Sequence, residues 1–328
     1  MYTTAYNNIK LVQRALKRID FDLNKMLSEY KFDFTPYNSG MDRVPCSLAH
    51  EFYLKVLQSI HCPNFPFEIS KEINPSALES LGVSLLFSES LTAFIQRLEK
   101  FSLISSDNSS FQFEQELKRL TFTIFQVKNP TVEAFLQITS VVALDKLIKL
   151  AYKSDFSFAK IQLQGNVLSE HRSLYLDYFQ CDIEFDAEQT RVYFQQEDLS
   201  SGFMLSNELI AHEQDLKSLE LVSLLNQGDL ISQIKLLITK LLPTGECSRE
   251  KISSLLNMSS RLVHRRLEKL GITYKQVLED VRKEQACIYL KQNKSINEIS
   301  YLLGYTDASN FTRSFRGWYG VPPKEYKS

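Results

Sequence analysis

Ser295–Phe315 leaves the chain little freedom. Ser295-Ile296-Asn297-Glu298 reads as a capping box: the serine side chain takes a free backbone N–H at a helix start and Glu298 reaches back. Ile296, Ile299, Leu302 and Leu303 then recur at helical spacing and face a core. Gly304 suits the left-handed conformation that ends a helix and turns the chain. A second helix is expected from about Asp307, burying Phe311, Phe315 and Trp318. The same short-helix-then-turn pattern stands 47 positions earlier, Ile252 to Asn257 against Ile299 to Gly304. That first copy runs Ser248–Leu256, turns at Asn257-Met258-Ser259, and continues as Ser260–Leu270. Asparagine in place of glycine is acceptable there, because it tolerates positive φ.

Each copy is therefore a helix-turn-helix, a unit that can offer the early residues of its second helix to a DNA major groove. An amphipathic helix from Thr273 to Lys291 joins them; its 19 residues span roughly 28 Å at 1.5 Å each. One DNA turn is about 34 Å, so one chain could address successive major grooves on one face of a duplex. The expected helices are 248–256, 260–270, 273–291, 295–303 and 308–319, preceded by one carrying Leu230, Ile234, Leu237 and Leu241 that Pro243 stops. An earlier helix through Leu216, Leu219 and Val222 ends at Asn226-Gln227-Gly228, and Asp229 can cap the next. The chain thus divides into 1–228 and an all-α domain, 229–328.

Residues 1–228 read as α+β. Helical spacing dominates 5–100, as in Ile9, Val12, Leu16 and Ile19, with a Pro-rich aromatic loop at Cys62–Pro66. After the polar break Ser105–Ser110 the period switches to two: Phe111 and Phe113, then Leu120, Phe122 and Ile124, give two half-buried strands. Asn129-Pro130 opens a largely apolar helix reaching about Lys153. Ile161 and Leu163 suggest another strand, and Cys181, Ile183 and Phe185 with Val192 and Phe194 suggest a hairpin.

Charge separates along the same line. Residues 229–328 hold 17 Lys+Arg and 10 Asp+Glu, net +7; residues 1–228 hold 21 and 29, net −8. A basic module on an acidic body suits a nucleic-acid reader joined to something else. No apolar run approaches the roughly 18 residues of a membrane span, and Met1–Lys10 lacks a signal pattern. Five widely spaced cysteines without a CxxC argue for a reducing interior and against a disulfide framework or structural zinc. The expectation is a soluble cytoplasmic protein that does not engage a membrane.

At this point the sequence resembles the DNA-binding domain of the AraC/XylS family of transcription regulators. The likeness rests on Met258-Ser259-Ser260-Arg261, Arg265-Arg266-Leu267, and Arg282 with Ala286. It is strongest over Ile299–Tyr305, Phe311–Phe315, Trp318-Tyr319-Gly320 and Pro323–Lys327. More faintly, the first 210 or so residues resemble an AraC-type ligand-binding and dimerisation half, clearest around His171–Leu199 with Tyr178-Phe179-Gln180-Cys181, Ile183-Glu184-Phe185 and Asp198-Leu199. The resemblance implies a sequence-specific, DNA-binding transcription regulator, not an enzyme, and one leaning towards activation. It implies duplex DNA as partner, with RNA polymerase, a small-molecule effector on the N-terminal domain and a homodimer as further expectations. No cofactor is expected; a regulator without any ligand stays open.

Carried over by the resemblance, Arg261, His264 and Arg265 on the first recognition helix, and Ala308, Ser309, Thr312 and Arg313 on the second, face the bases. Arginine can donate two bonds to guanine O6 and N7; the alternative is that Arg265 or Arg313 neutralises phosphate or pairs with a neighbouring Glu. Ala308 and Ser309 are shorter than the side chains common there, so the second unit is expected to rely more on DNA shape.

The competing class is an enzyme or repair protein that reaches DNA through the same module. It needs a nucleophile, and Cys46 with His50, four residues apart, is no evidence of a site. No GxGxxG, Walker loop or GxSxG is present. His171 beside Glu170 reads as a local structural hydrogen bond rather than a metal ligand, and Cys181 as a buried thiol on an apolar strand face. Phe111, Phe113, Phe122 and Phe125 read as core, with an apolar ligand pocket as the sharper option.

Overall fold

A computed structural model describes residues 2–39, 42–165, 169–225, 230–256 and 258–326. The expected boundary at 226–229, the Asn257 turn residue and Lys327 lie outside them. By its contacts the chain forms two compact units, Met1–Ser218 and Leu219–Ser328.

The first unit begins with a two-stranded antiparallel sheet, β1 (Thr3–Ala5) on β2 (Arg43–Pro45), which the helical reading of 5–100 did not include. Around it lie α1 (Tyr6–Arg18), α2 (Leu23–Glu29), α3 (Cys46–Ser59), α4 (Phe65–Ser70), α5 (Glu79–Leu86) and α6 (Leu91–Phe101). Ile9, Val12 and Leu16 are buried on one face of α1 with Phe52, Val56 and Phe65. The loop expected at Cys62–Pro66 is shorter than proposed, because Phe65 and Pro66 open α4. Proline is tolerated in a first helical turn, where its missing N–H has no partner to lose.

Next come β3 (Ser109–Glu114), β4 (Arg119–Ile124), α7 (Pro130–Ala151), β5 (Lys160–Gln164), α8 (Arg172–Phe179), β6 (Asp182–Ala187), β7 (Thr190–Tyr193) and α9 (Gln196–Ser200). Asn129 caps α7 as expected, its Oδ1 accepting from Thr131 N at 2.9 Å and Val132 N at 3.2 Å. α7 is buried along its length and packs on β4 and β5 as well as on α3, α4 and α5. Phe111 and Phe122 are cross-strand partners, rings edge to face at 5.2 Å.

The hairpin expected from residues 181–194 does not form. Strand order is β3-β4-β7-β5-β6: β5 lies between β7 and β6, antiparallel to the first and parallel to the second. Cys181 precedes β6 and is half-buried rather than seated on an apolar strand face. His171 Nε2 lies 3.5 Å from Glu170 Oε1.

The division between units falls within α10 (Glu208–Leu225). The second unit continues with α11 (Leu230–Leu241), α12 (Arg249–Leu255), α13 (Ser260–Lys269), α14 (Tyr274–Lys291), α15 (Ile296–Leu302) and α16 (Ala308–Tyr319). It has two cores, and α14 serves both. Val277 and Val281 pack with Ile234, Ile252, Val263 and Leu267. One end further along, Ala286 packs with Ile299, Leu303, Phe311 and Phe315.

Candidate nucleic-acid interface

Polar caps start each helix of the two helix-turn-helix units. Ser248 accepts from Lys251 N, Ser259 from Leu262 N, Ser295 from Glu298 N, and Asp307 from Asn310 N at 2.8 Å. The last bond also holds the Asp307 carboxyl below its ordinary value. In the expected Ser295 box the Glu298 carboxylate pairs with Lys294 Nζ at 2.7 Å. Gly304 takes φ +65°, the left-handed turn its position requires.

The two units share a closing bond: Met258 N donates to Ser253 O at 2.9 Å, and Tyr305 N to Ser300 O at 3.0 Å. Ser253 and Ser300, both buried, are themselves 47 positions apart. Beyond the turn the spacing becomes 48, matching Ser259 to Asp307, Val263 to Phe311, Arg265 to Arg313 and Leu267 to Phe315. The second turn is one residue longer.

These spacings set the faces. On α13 Val263 and Leu267 are buried, while Arg261, His264 and Arg265 are exposed together on the opposite side. On α16 Phe311 and Phe315 are buried, and Ser309 and Arg313 are exposed. Ala308 and Thr312 are half-buried, with the Thr312 hydroxyl donating to Ala308 O at 2.7 Å. Among the described residues Arg261, Arg265 and Arg313 form no ion pair, and the Arg313 charge helps hold the Asp307 carboxyl down. Lys324 is exposed.

Arg282, which entered the sequence reading only through the resemblance, holds the second unit. Its Nε donates to Leu303 O at 2.9 Å, closing the end of α15, and its guanidinium lies 4.3 Å over the Tyr305 ring. On an amphipathic helix an arginine otherwise reads as a solvated surface charge, so local spacing carries no sign of this role. Trp318 is half-buried instead of buried; its Nε1 donates to Glu279 Oε1 at 2.8 Å on α14.

The N-terminal unit contains a cavity of about 170 Å³. Of the four phenylalanines weighed for a pocket, Phe111 lines it. Phe122 is core, Phe113 packs edge-on against Phe194, and Phe125 is exposed. Cys46 and His50 also border the cavity, but burial pushes the Cys46 thiol up to about 11, so it is protonated and a poor nucleophile at neutral pH.

Two helix-turn-helix units joined by α14 define a double helix-turn-helix protein. A family model described as a helix-turn-helix domain matches residues 252–328, and one described as the arabinose-binding domain of AraC transcription regulators, N-terminal, matches 22–203. The chain belongs to the AraC family of transcription regulators. Among its relatives, the HTH-type transcriptional regulator VirS of Mycobacterium tuberculosis is 37% identical over 113 residues, 34% of this chain and 33% of that one. The ornithine utilization regulator of Pseudomonas aeruginosa is 34% identical over 160 residues, 48% of this chain and 47% of that one. The matched segment thus spans a third to a half of these relatives' length. The transcriptional regulator CdpR of Pseudomonas aeruginosa aligns in structure over 96% of this chain and 97% of its own, at 17% identity and a TM-score of 0.49. Among the described residues no helix is long and apolar enough to cross a membrane.

Proposed function

We propose that the chain is a sequence-specific, DNA-binding transcription regulator rather than an enzyme. Residues 229–328 read successive major grooves through α13 and α16, and 1–228 form an effector-sensing and dimerisation domain. The observation that carries this reading is the matched pair Arg265 and Arg313. Each stands at the same place relative to its cap and core residues, exposed and outside any ion pair among the described residues. Arg261, His264, Ser309 and Thr312 complete the base-facing set, Ala308 lets backbone approach closely, and Lys324 faces phosphate.

Family membership adds RNA polymerase, a small-molecule effector and a second copy of the chain as partners in the cytoplasm. A protonated Cys46 speaks against the alternative of a DNA-directed enzyme with a cysteine nucleophile. Footprinting of the full chain on genomic DNA tests the proposal: protected sites should contain two half-sites about one helical turn apart. Affinity should fall steeply with salt as counterions are released. Uniform protection without preferred sites would overturn sequence-specific reading.

A further inference from the structure

The cavity of the N-terminal unit lies among α1, α3, α5, α6, α7 and the start of β3, and no Asp, Glu, Lys or Arg lines it. Its wall is mostly apolar, with Leu98, Phe135 and Leu147 representative. Most of its polar atoms are already engaged. Asn8 Nδ2 donates to Thr4 Oγ1 at 2.8 Å, Asn108 Nδ2 to Phe125 O at 2.9 Å, and Ser140 Oγ to Leu136 O at 2.8 Å.

Thr139 Oγ1 has no hydrogen-bond partner, but it is closed off from the cavity as it is from solvent. His50 has only a long 3.5 Å contact, to Asn108 Nδ2, and burial holds its pKa down, so the ring is neutral. A sugar would bring several hydroxyls that these walls cannot satisfy, and an ionised ligand would find no counter-charge. A dry cavity of about 150 Å³ admits a benzene-sized molecule, so this one suits a single ring or short chain.

We infer that this cavity is the effector site and that it takes a small, uncharged, largely hydrocarbon molecule with at most one polar group. The inference rests on the reading of the N-terminal domain as an effector sensor, and it sets the ligand apart from the sugar in the family model's description.

The test is calorimetric titration of the full chain with four probes: 4-ethylphenol, 4-ethyltoluene, 4-ethylbenzoate and L-arabinose. Saturable binding is expected for the two uncharged aromatics alone. Ala143→Phe, which fills the cavity, should abolish both. Arabinose or 4-ethylbenzoate binding that Ala143→Phe removes would overturn the uncharged-ligand inference while leaving an effector site in place. No saturable binding by any probe, or 4-ethylphenol binding that Ala143→Phe leaves intact, would overturn the assignment of the cavity. Operator affinity with and without bound 4-ethylphenol tests the sensor reading separately: binding without any change in that affinity counts against the sensor, not against the cavity's chemistry.

Discussion

The Arg282 guanidinium donates from Nη2 to the carbonyl oxygen of Gly304 at 3.0 Å. With the bond to Leu303, one side chain of α14 thereby satisfies two carbonyls at the end of α15, where the helix dipole also favours a cation. The linker is tied to the turn that aims α16.

Arg282→Ala should therefore destabilise the chain by about 1.5–3 kcal/mol, the range for hydrogen bonds to a charged group, measured by urea unfolding. Arg282→Lys should recover only part, since an ammonium cannot reproduce the planar fork or its stacking on Tyr305. Unchanged stability in both variants would show the contact to be incidental.

Arg313→Ala should cost on the order of 1–3 kcal/mol on the preferred operator, as for one bidentate base contact, and much less on random DNA. Arg265→Ala should do the same. Lys324→Ala should weaken both DNAs alike and reduce the salt slope by about one unit. The quantity to measure is the ratio of specific to random affinity at one salt concentration; a proportional loss for Arg313→Ala would make that residue a backbone clamp.

In the N-terminal unit Arg97, 7% exposed, donates to Glu208 Oε1 at 2.6 Å and to Asp215 Oδ2 at 3.0 Å. Arg97→Ala should cost about 3–5 kcal/mol, because two carboxylates lose their shared cation in a largely dry setting. Replacing all three residues with apolar ones should cost less than the single change. Equal or greater loss in the triple variant, by chemical denaturation, would contradict this.

Burial lowers the pKa of His212 and of His50 from the ordinary 6.5. The unfolded chain thus takes up protons below about pH 6.5 that the folded chain refuses until lower pH. Stability should be highest above that value and fall on acidification from pH 7.5 to 5.5, with a slope of at most about 1.4 kcal/mol per pH unit for each imidazole. His212→Gln should flatten the slope; an identical profile would show that His212 does not contribute.

How much was legible follows from where each signal sits. Ser248, Ser259, Ser295, Asp307 and Gly304 act on backbone within a few residues of themselves, so the helices of the second unit and their faces could be read in order. Period-two patterning gives a strand's faces but not its neighbours, so the pattern around Ile183 and Val192 could not reveal that β5 inserts between them. Pro66 signals a boundary equally well whether a helix ends or begins there. The cavity is a product of tertiary assembly: Asn8, His50, Leu98 and Thr139 come from four helices, and nothing in their spacing joins them.

The extra residue in the second turn bears on how such units can diverge. Within a continuous helix, one inserted residue swings everything after it by about 100°, which would turn Ser314 into the core and expose Phe315. Here the insertion precedes a fresh cap, Asp307, so the helix face is counted anew from that point. Turn length and surface identity are thereby separate heritable variables: insertions between Leu303 and Asp307 can change how α16 is presented without scrambling which of its side chains are presented.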